Sequence, residues 1–194
     1  FWNTFWNLNQ LWALATPDIM NKWVESLLEY YRVGGWLPNG PPGVEYCDIM
    51  GAQHEIPLMV SAYQKGIRNY DVDKAYEAVK KTLTTQGTAL SSGGIVGNRH
   101  LDVYLKYGFV PYGEKSHHNV FGTTYEGPTS NTLEYAFDDW NAAQFAKALG
   151  YEEDYDYFTR RAYNYKNVFD SETKYVRPKY SEGTWMPEFE PINK

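Results

Sequence analysis

Cysteine is all but missing from this chain: Cys47 is the only one in 194 residues. One thiol excludes an internal disulfide and a multi-cysteine zinc site. There is no basic block, and the net charge of −6 repels a nucleic-acid backbone, so that partner class is set aside. No apolar run approaches the roughly 18 residues of a membrane span. No charged stretch followed by an apolar one marks a signal peptide. The chain begins at Phe1 and looks cut from something larger, so that absence says nothing about secretion. No Gly-x-Ser-x-Gly elbow is present and Cys47 has no histidine beside it, which leaves serine or cysteine nucleophiles without support. Gly93-Gly94-Ile95-Val96-Gly97-Asn98 is glycine-rich but lacks the Lys-Ser/Thr of a phosphate loop. HExxH is absent too, and His100, His117 and His118 read as solvated loop side chains rather than metal ligands. No motif recurs at a fixed period, against a helical-repeat array.

Aromatic side chains are abundant: 18% of residues, including 18 Tyr and 7 Trp. Most such rings pack in cores, but Tyr and Trp also suit a sugar's mix of C–H faces and hydroxyls. Apolar spacing is helical almost throughout. Helices are expected over Thr4–Ala15 (stripe Phe5, Leu8, Trp12, Ala15), Pro17–Gly34 (Met20, Trp23, Leu27, Tyr31) and His54–Ile67 (Ile56, Val60, Tyr63, Ile67). Three more are expected: one opened by Asp71 or Asp73 and reaching about Thr84 (Ala75, Val79, Leu83), Thr132–Leu149 and Glu152–Phe169. A short one spans Leu101–Tyr107. Thr16 with Pro17 reads as a helix start, Gly34-Gly35 and Gly150 as stops. Glu77 and Lys81 form an expected i, i+4 pair. Residues 85–98 and 108–129 read as long loops, a length often associated with function. Helical hairpins with elaborate loops predict an all-α fold, an α/α toroid whose loops build a cleft.

The densest chemistry is SNTLEYAFDDW, Ser130 to Trp140. Glu134 and Asp138 are four apart and share a helix face, with Asp139 beside them and Tyr135, Phe137 and Trp140 around them. Paired carboxylates among aromatic rings suit glycoside hydrolysis, in which one carboxyl is held protonated. The same residues also fit a capping box, with Asn131 as N-cap and Glu134 reaching back to a backbone N–H. In that case a helix N-terminus would favour the charged carboxylate, the opposite of what an acid needs.

Six segments together resemble glycoside hydrolase family 92. They are FWNTFWNLNQLW, GGWLPNGPPGVEY, VSAYQKGIRNYDVDKAYEAVKK, YLKYGFVP, SNTLEYAFDDWNAAQFAKALG and RRAYNYKNVFD, in order along nearly the whole chain. The resemblance implies a calcium-dependent, inverting, exo-acting α-mannosidase. It implies that residues 1–194 are part of an (α/α)6-barrel catalytic domain. An N-terminal β-sandwich and the C-terminal part of the barrel would lie elsewhere in the same polypeptide. The glutamate of the family's LEYA motif is the general acid, which carries over to Glu134. Asn3 stands where the family usually has an aspartate that holds mannose; asparagine keeps the oxygen and loses the charge. Trp2, Trp36 and His54 are implied as cleft neighbours, with Asp138 and Asp139 as further substrate-binding candidates. The general base and most of the calcium shell would lie beyond Lys194, leaving the isolated chain inactive. A mannose-containing glycan is the implied partner, and an extracellular or periplasmic location follows from the resemblance. A different inverting (α/α)6 glycosidase and a non-catalytic glycan-binding or scaffold derivative of the fold are the alternatives.

Overall fold

The computed structural model describes residues 3–39, 46, 51–90, 95–113 and 127–191. Trp2, Cys47, His117 and His118 lie outside them, as do most of the Pro/Gly-rich stretch after Asn39 and Gly93-Gly94.

Seven α-helices appear among the described residues: α1 (Leu8–Ala15), α2 (Pro17–Gly34), α3 (Glu55–Gln64), α4 (Val72–Thr84), α5 (Leu101–Tyr107), α6 (Pro128–Leu149) and α7 (Glu152–Ala162). Single 3-10 turns precede α1 (Thr4–Trp6) and follow α7 (Tyr163–Val168). A two-residue antiparallel pair, β1 (Thr88–Ala89) with β2 (Ile95–Val96), closes a stretch expected to be loop alone.

Local signals place most of the ends. Pro17 opens α2 at a position where its missing N–H costs nothing, and Gly35 (φ +76°) ends it in the left-handed conformation that glycine adopts without strain. The Asp71 carboxylate accepts the Lys74 N–H at 2.9 Å and caps α4. Three expectations need correction. The first helix is broken at Asn7, and the buried residue of α1 is Asn9 rather than the expected stripe. Glu77 pairs with Lys74 (2.8 Å) and accepts the Tyr31 hydroxyl (2.9 Å), while Lys81 turns to the Gly35 carbonyl and the face of Trp36. His100 is buried at the start of α5, not solvated.

α6 is the hub. It packs on α7, α3 and α4, while α1 lies across α2 and α3. The main core joins Met20, Val24, Leu27, Met59, Val79, Phe145 and Phe158 from α2, α3, α4, α6 and α7. A second cluster of Ala52, Leu101, Tyr104, Val110 and Tyr135 seats α5 against the first half of α6. α3 is buried on almost every side, from Glu55 to Val60, so what precedes it is driven into the interior as well.

Candidate active site

α6 begins at Pro128 with Gly127 before it, one turn earlier than the capping-box reading expects, and makes no side-chain cap. Asn131 is therefore inside the helix and fully buried, not its cap. Glu134 falls in the second turn, beyond the N–H groups left open at a helix start and beyond most of the dipole's reach. The tension between helix N-terminus and acid is thereby removed.

Four residues on from Glu134, Asp138 is wholly buried. Its Oδ2 accepts the Gln53 backbone N–H at 2.8 Å. That N–H is aimed by the turn before α3, in which Ala52 holds φ +66° and its carbonyl accepts from the Asn39 side chain. A non-glycine residue in that region stores about 1–3 kcal/mol of strain, a feature common at functional sites.

His54, the last residue of the turn, brings α3 to α6. Its Nε2 lies 2.8 Å from Glu134 Oε2 and 3.9 Å from Asp138 Oδ1. The closer contact is within ion-pair distance but does not have the geometry of a hydrogen bond. Phe5 and Phe137 meet the imidazole edge-on, with centroids at 4.9 and 5.8 Å. The same two rings form one wall of an adjoining groove of about 500 Å³ between α1, α3 and α6, which Asn9, Gln144 and the exposed Trp140 also line.

Exposure sorts the carboxyls. Glu134 keeps 24% of its side-chain surface, whereas His54 keeps 1% and Asp138 none. Burial pushes Asp138 up to about 7, and the Glu134 charge adds to this, while His54 and the Gln53 N–H pull it back. Glu55, the first residue of α3, is fully buried with both oxygens unpartnered. Burial pushes it up to about 8, with the Asp138 charge adding to the effect.

Of the sequence-derived candidates, the structure brings together Glu134, His54 and Asp138. His54 and Asp138 sit behind Glu134 and offer no surface to a sugar. Asp139 does not join them. It is buried against Arg161, with Nη2–Oδ1 at 2.7 Å and Nε–Oδ2 at 3.1 Å, and it accepts the Tyr104 hydroxyl at 2.9 Å. Trp36 packs at the Gly97 backbone with the Lys81 ammonium 4.7 Å from its ring. Asn3 is exposed, two residues from Phe5, and its carbonyl accepts the Trp6 N–H at 3.3 Å. Sequence reasoning missed Phe5, which it assigned to a core stripe, and Glu55. The His-Glu pairing ahead of a proline-bearing helix start was the available signal.

The model of the glycosyl hydrolase family 92 catalytic domain matches residues 1–194. The chain belongs to glycosyl hydrolase family 92. Solved family 92 structures superpose on it. An inverting mannosidase from Bacteroides thetaiotaomicron matches with a TM-score of 0.83 and 29% identity, over 98% of this chain and 24% of that one. An α-mannosidase of the same organism, in complex with mannoimidazole, matches with a TM-score of 0.77 and 29% identity, over 98% and 23%. A protein of Arthroderma benhamiae described as an uncharacterized secreted glycosidase is 27% identical over 190 residues, 91% of this chain and 24% of that protein. The chain thus spans about a quarter of the length of these relatives. Its helices are part of the (α/α)6 fold of the family 92 mannosidases.

A family 92 domain raises the question of calcium, which takes six to eight oxygen ligands. Among the described residues no group of three or more His, Cys, Asp or Glu is placed to hold a metal ion. The donors at the site do not suit the ion either: an imidazole nitrogen stands between Glu134 and Asp138. These residues do not fit a calcium site.

Proposed function

We propose that this chain is part of the catalytic domain of an exo-acting, inverting α-mannosidase that removes mannose from glycans, with Glu134 as the general acid. The observation that carries the reading is the sorting of carboxyls: Glu134 alone among Glu134, Asp138 and Glu55 reaches solvent. A general acid must touch the departing oxygen, so the buried pair are excluded from that role. Membership of family 92 and the likeness to two mannosidases support the sugar and the reaction class.

In a single displacement, protonated Glu134 donates to the glycosidic oxygen as the bond to the anomeric carbon breaks. A second carboxylate takes a proton from the water that attacks the opposite face, about 6.5–9.5 Å away. Asp138 and Glu55 are closed to water and lie on the protein side of Glu134, so neither serves as that base. It is supplied by other parts of the polypeptide, as are an N-terminal β-sandwich and the rest of the barrel, and the 194-residue chain alone does not hydrolyse mannosides. Calcium, which the family resemblance implies, has most of its ligands outside this chain. The enzyme works outside the cytoplasm, in keeping with the secreted relative.

The test is Glu134→Gln in the complete protein, assayed on α-mannobiose. Loss of a general acid costs about 100- to 10,000-fold in kcat. Wild-type turnover by this variant would remove Glu134 from the role.

A further inference from the structure

We propose that His54 and Asp138 are positioning residues for Glu134: the imidazole, its Nε2 flanked by the buried Asp138 carboxyl, fixes Oε2 of Glu134 and leaves Oε1 to hand over the proton. This rests on the reading of Glu134 as the acid.

The contacts meet at one atom. A single ring nitrogen, Nε2, faces two carboxylates one helical turn apart, at 2.8 Å and 3.9 Å. Asp138 is in turn pinned by the Gln53 N–H at 2.8 Å. The ring cannot swing away, because Phe5 and Phe137 meet it at interplanar angles of 82° and 83°. Glu134 Oε1 has no ion-pair or hydrogen-bond partner among the described residues. One oxygen is held and the other is open.

Neither His54 nor Asp138 has surface with which to bind a sugar. What His54 does touch is the one carboxyl of the cluster that reaches outward. A glutamate side chain left alone samples several rotamers, and ordering it costs up to about 2 kcal/mol. Holding it in place before substrate arrives removes that cost from the chemical step, and misplacing a reacting group by about 1 Å can lower the rate about 100-fold.

The experiment compares two substrates in the complete protein. α-Mannobiose has a leaving group that needs a proton; 2,4-dinitrophenyl α-mannoside has one that does not. Glu134→Gln should lose kcat on the first and little on the second. His54→Ala and Asp138→Asn should show the same contrast, with about a 100-fold loss on α-mannobiose and KM held. Asp138→Asn is isosteric and can still accept the Gln53 N–H, so the test stands even if His54→Ala does not fold. Equal losses on both substrates, or full activity in both variants, overturn the positioning role and leave Glu134 as the acid. No contrast in Glu134→Gln overturns the acid itself, and the positioning role with it.

Discussion

Asp138 and Asp139 are neighbours in the chain and serve different parts of the fold. Asp138 accepts the Gln53 N–H and faces His54, behind Glu134; Asp139 is locked to Arg161 between α6 and α7. Successive residues on a helix point about 100° apart. In this helix that angle separates a residue of the candidate site from a residue of the core.

The Arg161 pair is the more consequential for stability. Arg161 also donates to the Leu83 carbonyl at 2.9 Å and to the Tyr157 hydroxyl at 3.1 Å, so it ties α7 to the end of α4. Arg161→Met strands Asp139 without its cation, and breaking such a buried pair costs about 3–5 kcal/mol. The double variant Arg161→Met/Asp139→Asn should recover part of that loss. Thermal melting of both decides the matter; a single variant as stable as the wild type would mean that the pair contributes nothing.

Glu55 should leave a signature in the pH dependence of stability. Below its ordinary value of 4.5 it is protonated folded or unfolded, and makes no difference. Between there and about 8 the unfolded chain ionises while the folded one, by burial, stays neutral. The unfolded state then holds fewer protons, so stability falls as pH rises through that window. Asp138, raised to about 7, acts in the same direction. Glu55→Gln should flatten part of the decline, read as melting temperature against pH. An unchanged slope would show that Glu55 is not held neutral.

Ala52 offers a backbone test. At φ +66° its Cβ is strained, and glycine adopts this region freely. Ala52→Gly gives up a little buried surface and frees the unfolded chain, but relieves about 1 kcal/mol of left-handed strain. The expected outcome is a melting temperature at or slightly above the wild type's, with turnover of the complete enzyme kept. A marked destabilisation would mean that the Ala52 methyl packs for more than its strain costs.

Much of the helical frame was legible beforehand. Pro17, Gly35 and Gly150 mark ends through chemistry that acts within one turn, and the structure uses each as a terminus; of Asp71 and Asp73, it uses Asp71. The ends misread were those where two signals competed. Asn131 looks like a cap, yet Pro128 starts the helix one turn sooner and Asn131 is driven inside. Asn7 breaks a periodic stripe, which turns Phe5 toward His54 rather than into the core.

By itself the sequence determined an all-α frame, family membership through its ordered motifs, and Glu134 with Asp138 on one face of α6. Spacing along one helix is a local property, and local properties survive in sequence. Only the tertiary structure decided which carboxyl reaches solvent, which is held by a guanidinium, and that His54 stands between Glu134 and Asp138. Those outcomes depend on the packing of α3 and α7 against α6, between residues as far apart in the chain as Gln53 and Asp138. Burial and distance across the chain are set by the whole fold, and no local pattern records them.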